Sequence, residues 1–358
     1  MEEVVSEQQD YKGYDVKYQK ADESQRGYTF VPGTGFTNHD PEEERRRKLH
    51  YVANHVGLAI VFFVLISVFA TLPVTLLFSA MGLPVYVNFT SMQVYGAQFM
   101  IYLVQIVVSV LKLGVPALFL YSALKRRIRF YGVMKPPRLR TFFYTVPMTL
   151  AATVIGSFAA QIVQKLLVMF GWNVSQPNYQ TPESEADILL YFILLTIVPA
   201  FLEELFFRGA IMQPLRCFGD SIALVVSSLL FALAHFNAMQ AVNAMILGLV
   251  IGYFVMRTRS LWTGILLHFC VNTVSFFEVM LLNEWAPQNY QMISNMISLV
   301  LIAAGIMSVL VFVRREPSAF TIPQLKTTWT VGKRLTVFFS SGGIMIALLL
   351  MVYFWVQV

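Results

Sequence analysis

Apolar residues in this chain fall in long unbroken runs, not in strict alternation or narrow stripes. After a polar opening, nine such runs occupy 52–80, 98–123, 141–170, 187–214, 221–236, 239–256, 261–283, 291–313 and 335–357. About 20 apolar residues in helical form cross a bilayer core. A strand with an open edge cannot face lipid, because its backbone groups would go unpaired. The pattern therefore predicts an all-α, polytopic transmembrane helix bundle of about nine spans. The fifth and sixth runs are short and joined near Phe236-Asn237-Ala238. No apolar stretch follows Met1-Glu2-Glu3, so no cleaved signal peptide is expected and the first span serves as the targeting signal.

Composition agrees with this reading. Only 13% of the 358 residues are charged, against about 25% in an average soluble domain. Residues 1–50 hold 11 Asp/Glu and 8 Lys/Arg and too few apolar groups to form a core, so they are expected to be a disordered cytoplasmic tail. Its end, Glu42-Glu43-Glu44-Arg45-Arg46-Arg47-Lys48, reads as a solvated helix start with its basic half at lipid headgroups. The remaining chain carries 18 Lys/Arg and 9 Asp/Glu, with the basic excess in loops between spans. Lys125, Arg126, Arg127, Arg129, Lys135, Arg138 and Arg140 crowd one loop, while 81–97, 171–186 and 284–290 have no Lys or Arg. Nine spans put every basic loop on one side. The positive-inside rule then sets the N-terminus in the cytoplasm and the C-terminus outside, in a multi-pass protein of the cell membrane. The same distribution argues against a nucleic-acid partner. Cys217 and Cys270 form no disulfide framework and read as packing residues.

Ionisable groups inside apolar spans are costly and by default mark function. Three clusters carry them. In Pro199-Ala200-Phe201-Leu202-Glu203-Glu204-Leu205-Phe206-Phe207-Arg208, Glu204 and Arg208 are four apart and can pair. That pairing leaves Glu203 free for general base work. The plainer alternative is a solvated helix end. In Phe231-Ala232-Leu233-Ala234-His235 a lone His stands among apolar residues, and such a His is often structural. In His268-Phe269-Cys270-Val271-Asn272 two polar groups share one helical stripe and could instead tie helices together.

Depth links the clusters. Gly219 is the natural turn between the fourth and fifth spans, with Glu203 and His235 each 16 residues from it. In an antiparallel hairpin both lie ~20–24 Å along the helices from that turn. His268 and Asn272 lie 9 and 13 residues beyond Arg259, or about 13–20 Å in. A carboxylate and a His that hold one water make a hydrolytic base. A His and an Asn on one face supply donors for a tetrahedral oxyanion. HExxH and GxSG are both absent, so the usual zincin and rhomboid-like Ser sites find no support. Glu203, His235 and His268 could be three zinc ligands, and metal-free water activation is the preferred reading, with no cofactor.

The residues resemble the CPBP family, the CAAX-processing and bacteriocin-immunity group of intramembrane glutamic endopeptidases. Glu203, Glu204 and Arg208 match its EExxxR motif, Phe231 and His235 its FxxxH, and His268 and Asn272 its HxxxN, in order over about 187–280. The resemblance implies that Glu203 and His235 activate water, His268 and Asn272 stabilise the oxyanion, and Glu204 and Arg208 shape the site. It divides the chain into a tail (1–50), N-terminal spans (51–186), a catalytic core (187–283) and C-terminal spans (284–358). Eukaryotic members remove the last three residues of prenylated proteins. A hydrophobic or membrane-anchored peptide, prenylated or not, is the expected partner, together with membrane lipid. The alternatives are a non-catalytic scaffold or bacteriocin-immunity protein using the same cavity and, more remotely, a proton-coupled transporter.

Other polar groups in the spans are read as structural. Lys112 faces a polar cavity and Lys165 snorkels. Glu278 is interfacial or lines the cavity, and Asn243 bonds within the bundle. Trp172, Trp262 and Trp285 anchor span ends.

Overall fold

The computed structural model describes residues 27–31, 35–39, 41–89, 93–124, 136, 139–172, 182, 184–316, 318–322 and 329–357. Its helices are α1 (Pro41–Phe69), α2 (Thr71–Ala80), α3 (Gln98–Leu124) and α4 (Leu139–Met169), then α5 (Glu185–Phe218), α6 (Asp220–Leu233) and α7 (Ala238–Thr258). They are followed by α8 (Leu261–Trp285), α9 (Pro287–Arg315), α10 (Val331–Phe339) and α11 (Gly342–Gln357). Two antiparallel hairpins complete the described elements: β1 (Gly27–Val31) with β2 (Gly35–His39), and β3 (Val85–Asn88) with β4 (Gln93–Gly96). The first hairpin falls inside the segment expected to lack structure. Tyr, Phe, Val and Thr in GYTFV and GFTNH favour strands. Most of the tail, and the basic loop after α3, lie outside the described residues.

The chain is an all-α transmembrane bundle. Helices α1, α3, α4, α5, α7, α8 and α9 are long and apolar enough to cross a membrane, and α10 with α11, bent by 70°, make an eighth if taken as one span. The expected run 221–236 is the exception. It forms the 14-residue α6, ~21 Å long, short of a core about 30 Å thick. The run expected over 52–80 breaks at Ala70 into α1 and α2. Large apolar side chains point outward along the spans, among them Ile162, Leu299, Val300 and Met307. In water such surfaces would be a liability; in a bilayer they are the lipid contact.

Close backbone approach fixes the packing at two places. A Cβ on Gly57 of α1 would come within 2.1 Å of the Gly343 carbonyl carbon on α11, and Asn54 Oδ1 accepts from Gly343 N at 2.9 Å. A Cβ on Gly305 of α9 would come within 2.2 Å of Ala151 Cβ on α4. Small residues let membrane helices touch in this way, and polar side chains add bonds across them. Asn243 Nδ2 donates to Ser157 Oγ at 3.4 Å, joining α7 to α4 as expected, and Ser294 Oγ donates to Glu278 at 3.3 Å, joining α9 to α8. Trp172, Trp262 and Trp285 are exposed. Cys217 is exposed as a residue, and its thiol turns inward to donate to the Pro214 carbonyl. That carbonyl sits at the end of a helix, where the normal helical acceptor pattern is broken.

Candidate active site

Proline shapes the helix that carries the acids. Pro199 and Pro214 offer no N–H to the carbonyls four residues back, on Leu195 and Ala210. Those carbonyls fall in two stretches of wide, i→i+5 helix, Ile193–Ile197 and Glu204–Met212. Wide turns within α-helices recur at functional sites. Here one begins between Glu203, the last residue of an α-helical turn, and Glu204.

The two adjacent acids have different surroundings. Glu204 is wholly buried, and its Oε1 meets Arg208 Nη1 at 2.9 Å and His268 Nδ1 at 3.1 Å. Arg208 is also wholly buried. Its guanidinium lies 4.3 Å above the Phe231 ring, and Nη2 reaches the Gly248 carbonyl at 3.5 Å. This expected pairing neutralises Glu204. Gly264 of α8 permits it, because a Cβ there would stand 2.7 Å from Glu204 Oε2. Glu203 keeps a fifth of its side chain exposed, with its Oε2 3.8 Å from His268 Nε2.

His235 falls inside the expected run 221–236 but two residues past the end of the helix that forms there. Helix α6 stops at Leu233, and a turn of four residues follows. Phe236 adopts φ 49°, and Asn237 caps α7 by accepting from Met239 N and Gln240 N. The His235 Nδ1 lies 2.8 Å from the Phe231 carbonyl. A carbonyl only accepts, so Nδ1 carries the proton and the neutral ring keeps a lone pair at Nε2. By the same logic the Nδ1–H of His268 donates to Glu204. Its Nε2, toward Glu203, is then a donor only when the ring is doubly protonated. The Phe231 ring packs edge-on against both imidazoles, with centroids 4.9 Å from His235 and 5.8 Å from His268. The Phe of the FxxxH motif thus orients both histidines and carries the Arg208 charge on its face.

Glu203 and His235 line one cavity of about 240 Å³, together with Phe63, Ser67, Lys112, Leu113, Phe207, Ala234, Phe236 and Gln240. His268 is buried behind Glu203. Asn272, one turn further along α8, is outside this wall and makes no hydrogen bond among the described residues. No three His, Cys, Asp or Glu side chains among the described residues are grouped so as to hold a metal ion. Phe63 and Ser67 from α1, and Gln240 from α7, carried no mark in the sequence. Lys112 did, as an ionisable group in an apolar run, and it does face the cavity.

Residues 185–274 match the family described as type II CAAX prenyl endopeptidase Rce1-like. No curated protein matches the chain, and no solved structure does.

Proposed function

We propose that this integral membrane protein, whose residues 185–274 match the type II CAAX prenyl endopeptidase Rce1-like family, is an intramembrane endopeptidase using Glu203 and His235 to activate water. The observation that carries this reading is the shared cavity: the Glu203 carboxylate and His235 face one space of about 240 Å³, while Glu204 is held by Arg208 and His268. A water between two acceptors, the carboxylate and His235 Nε2, is a general-base arrangement. As it attacks the scissile carbonyl, its proton passes to this pair and later to the leaving amine. Asn272 Nδ2 and the doubly protonated His268 donate to the oxyanion. Asn272 has to turn toward the cavity when the peptide binds, since catalytic hydrogen bonds often tighten only in the complex.

The substrate we assign is a hydrophobic or membrane-anchored peptide, prenylated or not, because a charged soluble chain would enter from lipid at high cost. The basic loops and the tail go on the cytoplasmic side and α11 ends outside. Whether α6 and α7 count as two crossings or as one re-entrant hairpin, Arg216 and Arg257 stay on the same side. In this mechanism no metal takes part; zinc on Glu203, His235 and His268 is the rival. Purified protein in detergent is tested on hydrophobic peptides with and without prenyl groups, beside Glu203→Gln and a chelated sample. Cleavage lost in Glu203→Gln and kept with chelator supports the proposal. Cleavage lost with chelator and restored by zinc favours the metalloprotease. Full cleavage by Glu203→Gln rules out Glu203 as the base.

A further inference from the structure

Lys112 stands near the middle of the 27-residue α3, outside the family-matched segment. An ammonium at that depth is costly unless an anion or polar cavity receives it. Its side chain reaches the cavity that Glu203 and His235 line. Among the described residues it makes no ion pair within 4 Å and no hydrogen bond. The cavity's other charged wall residue, Glu203, has the His268 ring as its near neighbour, at 3.8 Å. The second acid of this region, Glu204, already has Arg208. The opposite charge that acts on Lys112 is Glu203, across the same cavity and beyond 4 Å, so Lys112 is a cation on a half-apolar wall with no direct ion pair of its own.

What enters that space must be small and must bring a negative charge. A volume of about 240 Å³ is below the roughly 300–1,000 Å³ of sites that enclose drug-sized ligands. A helical segment ~10–12 Å across does not fit; an extended chain end does. Acidic side chains are disfavoured in a peptide arriving from lipid. The anion that such a peptide still carries is its terminal carboxylate.

We propose that Lys112 is a carboxylate subsite of this cavity, taking the free C-terminus of the peptide and so fixing how far from the chain end the bond at Glu203 and His235 is cut. The proposal rests on the peptidase reading. It makes Lys112 a specificity residue, because it touches the substrate away from the reacting atoms. Phe63, Phe207 and Phe236 supply apolar surface in the same cavity, and low local dielectric strengthens a charge-assisted bond there.

The test compares matched hydrophobic peptides ending in a free carboxylate or a carboxamide. Wild type is expected to cleave the acid about tenfold or more faster in kcat/KM, the scale of one charged hydrogen bond. Lys112→Met is expected to bring the acid-to-amide ratio to within about threefold of one, and Lys112→Arg to keep the preference. Thermal unfolding of each variant shows that it is folded, and Lys112→Gln replaces Lys112→Met if the latter is not. A ratio near one in wild type overturns the proposal. So does a ratio that Lys112→Met leaves unchanged, the result expected if Lys112 only serves Glu203. If wild type cleaves neither peptide, the peptidase reading is what has failed for these substrates, and the subsite is judged by binding. Fluorescence anisotropy on Glu203→Gln protein then supports the proposal if the acid peptide binds about tenfold tighter and Lys112→Met removes the difference. Equal binding of both peptides overturns it.

Discussion

The floor of the cavity and its wall are built on different principles. The floor, from α5, α6 with the turn after it, and α8, rests on a lattice beneath Glu203 in which Arg208, Glu204, His268, His235 and Phe231 each touch a neighbour in the set. The wall, from α1 and α3, sets Phe63 and Leu113 beside Ser67 and Lys112, with Lys112 as its single charge. Floor positions are defined by hydrogen-bonding atoms, so few residues can replace them. Wall positions are defined by shape, which many apolar residues can supply. The family match covers the floor and leaves out α1 and α3. On the proposed reading, chemistry is confined to one short stretch, while the surface that would sort substrates comes from elsewhere in the chain.

Substitutions separate the two regions. The largest loss is expected from His235→Ala, with kcat falling about 10²–10⁴-fold, the range for a general base, and thermal stability little changed. Retained kcat would remove His235 from the floor's chemistry. Arg208→Met leaves the buried Glu204 with His268 alone and should cost about 3–5 kcal/mol, read as a lower midpoint in thermal unfolding. An unchanged midpoint would mean that the lattice is not structural. Phe63→Ala acts on the wall and should alter selection: the ratio of kcat/KM between bulky and small apolar peptides should shift about tenfold, with kcat on the best substrate moving less. A uniform fall across peptides would place Phe63 with the floor. The smallest change is expected from Trp355→Phe, which removes the indole N–H held 2.9 Å from the Leu233 carbonyl. It should cost about 1 kcal/mol, with a few-fold loss of kcat as the His235 turn loosens.

Much of the floor was legible in sequence because charge inside an apolar run is rare and costly. Glu204 and Arg208 pair as their four-residue spacing required, and Gly219, at φ 123°, makes the turn that sets Glu203 against His235. Other features were hidden for physical reasons. The end of α6 at Leu233 could not be read, since FALAH is apolar enough to continue a helix and the next break signal, the Asn237 that caps α7, stands four residues past Leu233. The wide turn at Glu204–Met212 follows from a proline whose influence reaches backward along the helix. The wall was illegible because Phe63 looks like any other phenylalanine in a lipid-facing run. Only tertiary packing singles it out. Asn272, matched by motif and spacing, is held by no bond among the described residues, so its role depends on the substrate complex.

The bond from Trp355 to Leu233, and the seating of Gly343 against Gly57, also bear on how the protein is made. Domains emerge from the ribosome N-terminal part first, and these contacts join residues 122 and 286 positions apart. The residues of the floor are all synthesised before α11, yet the carbonyl that precedes the His235 turn and the helix that presents Phe63 both dock on α11. A nascent chain therefore holds every reacting group before it holds the working arrangement. On the proposed reading, hydrolysis waits for α11 to dock.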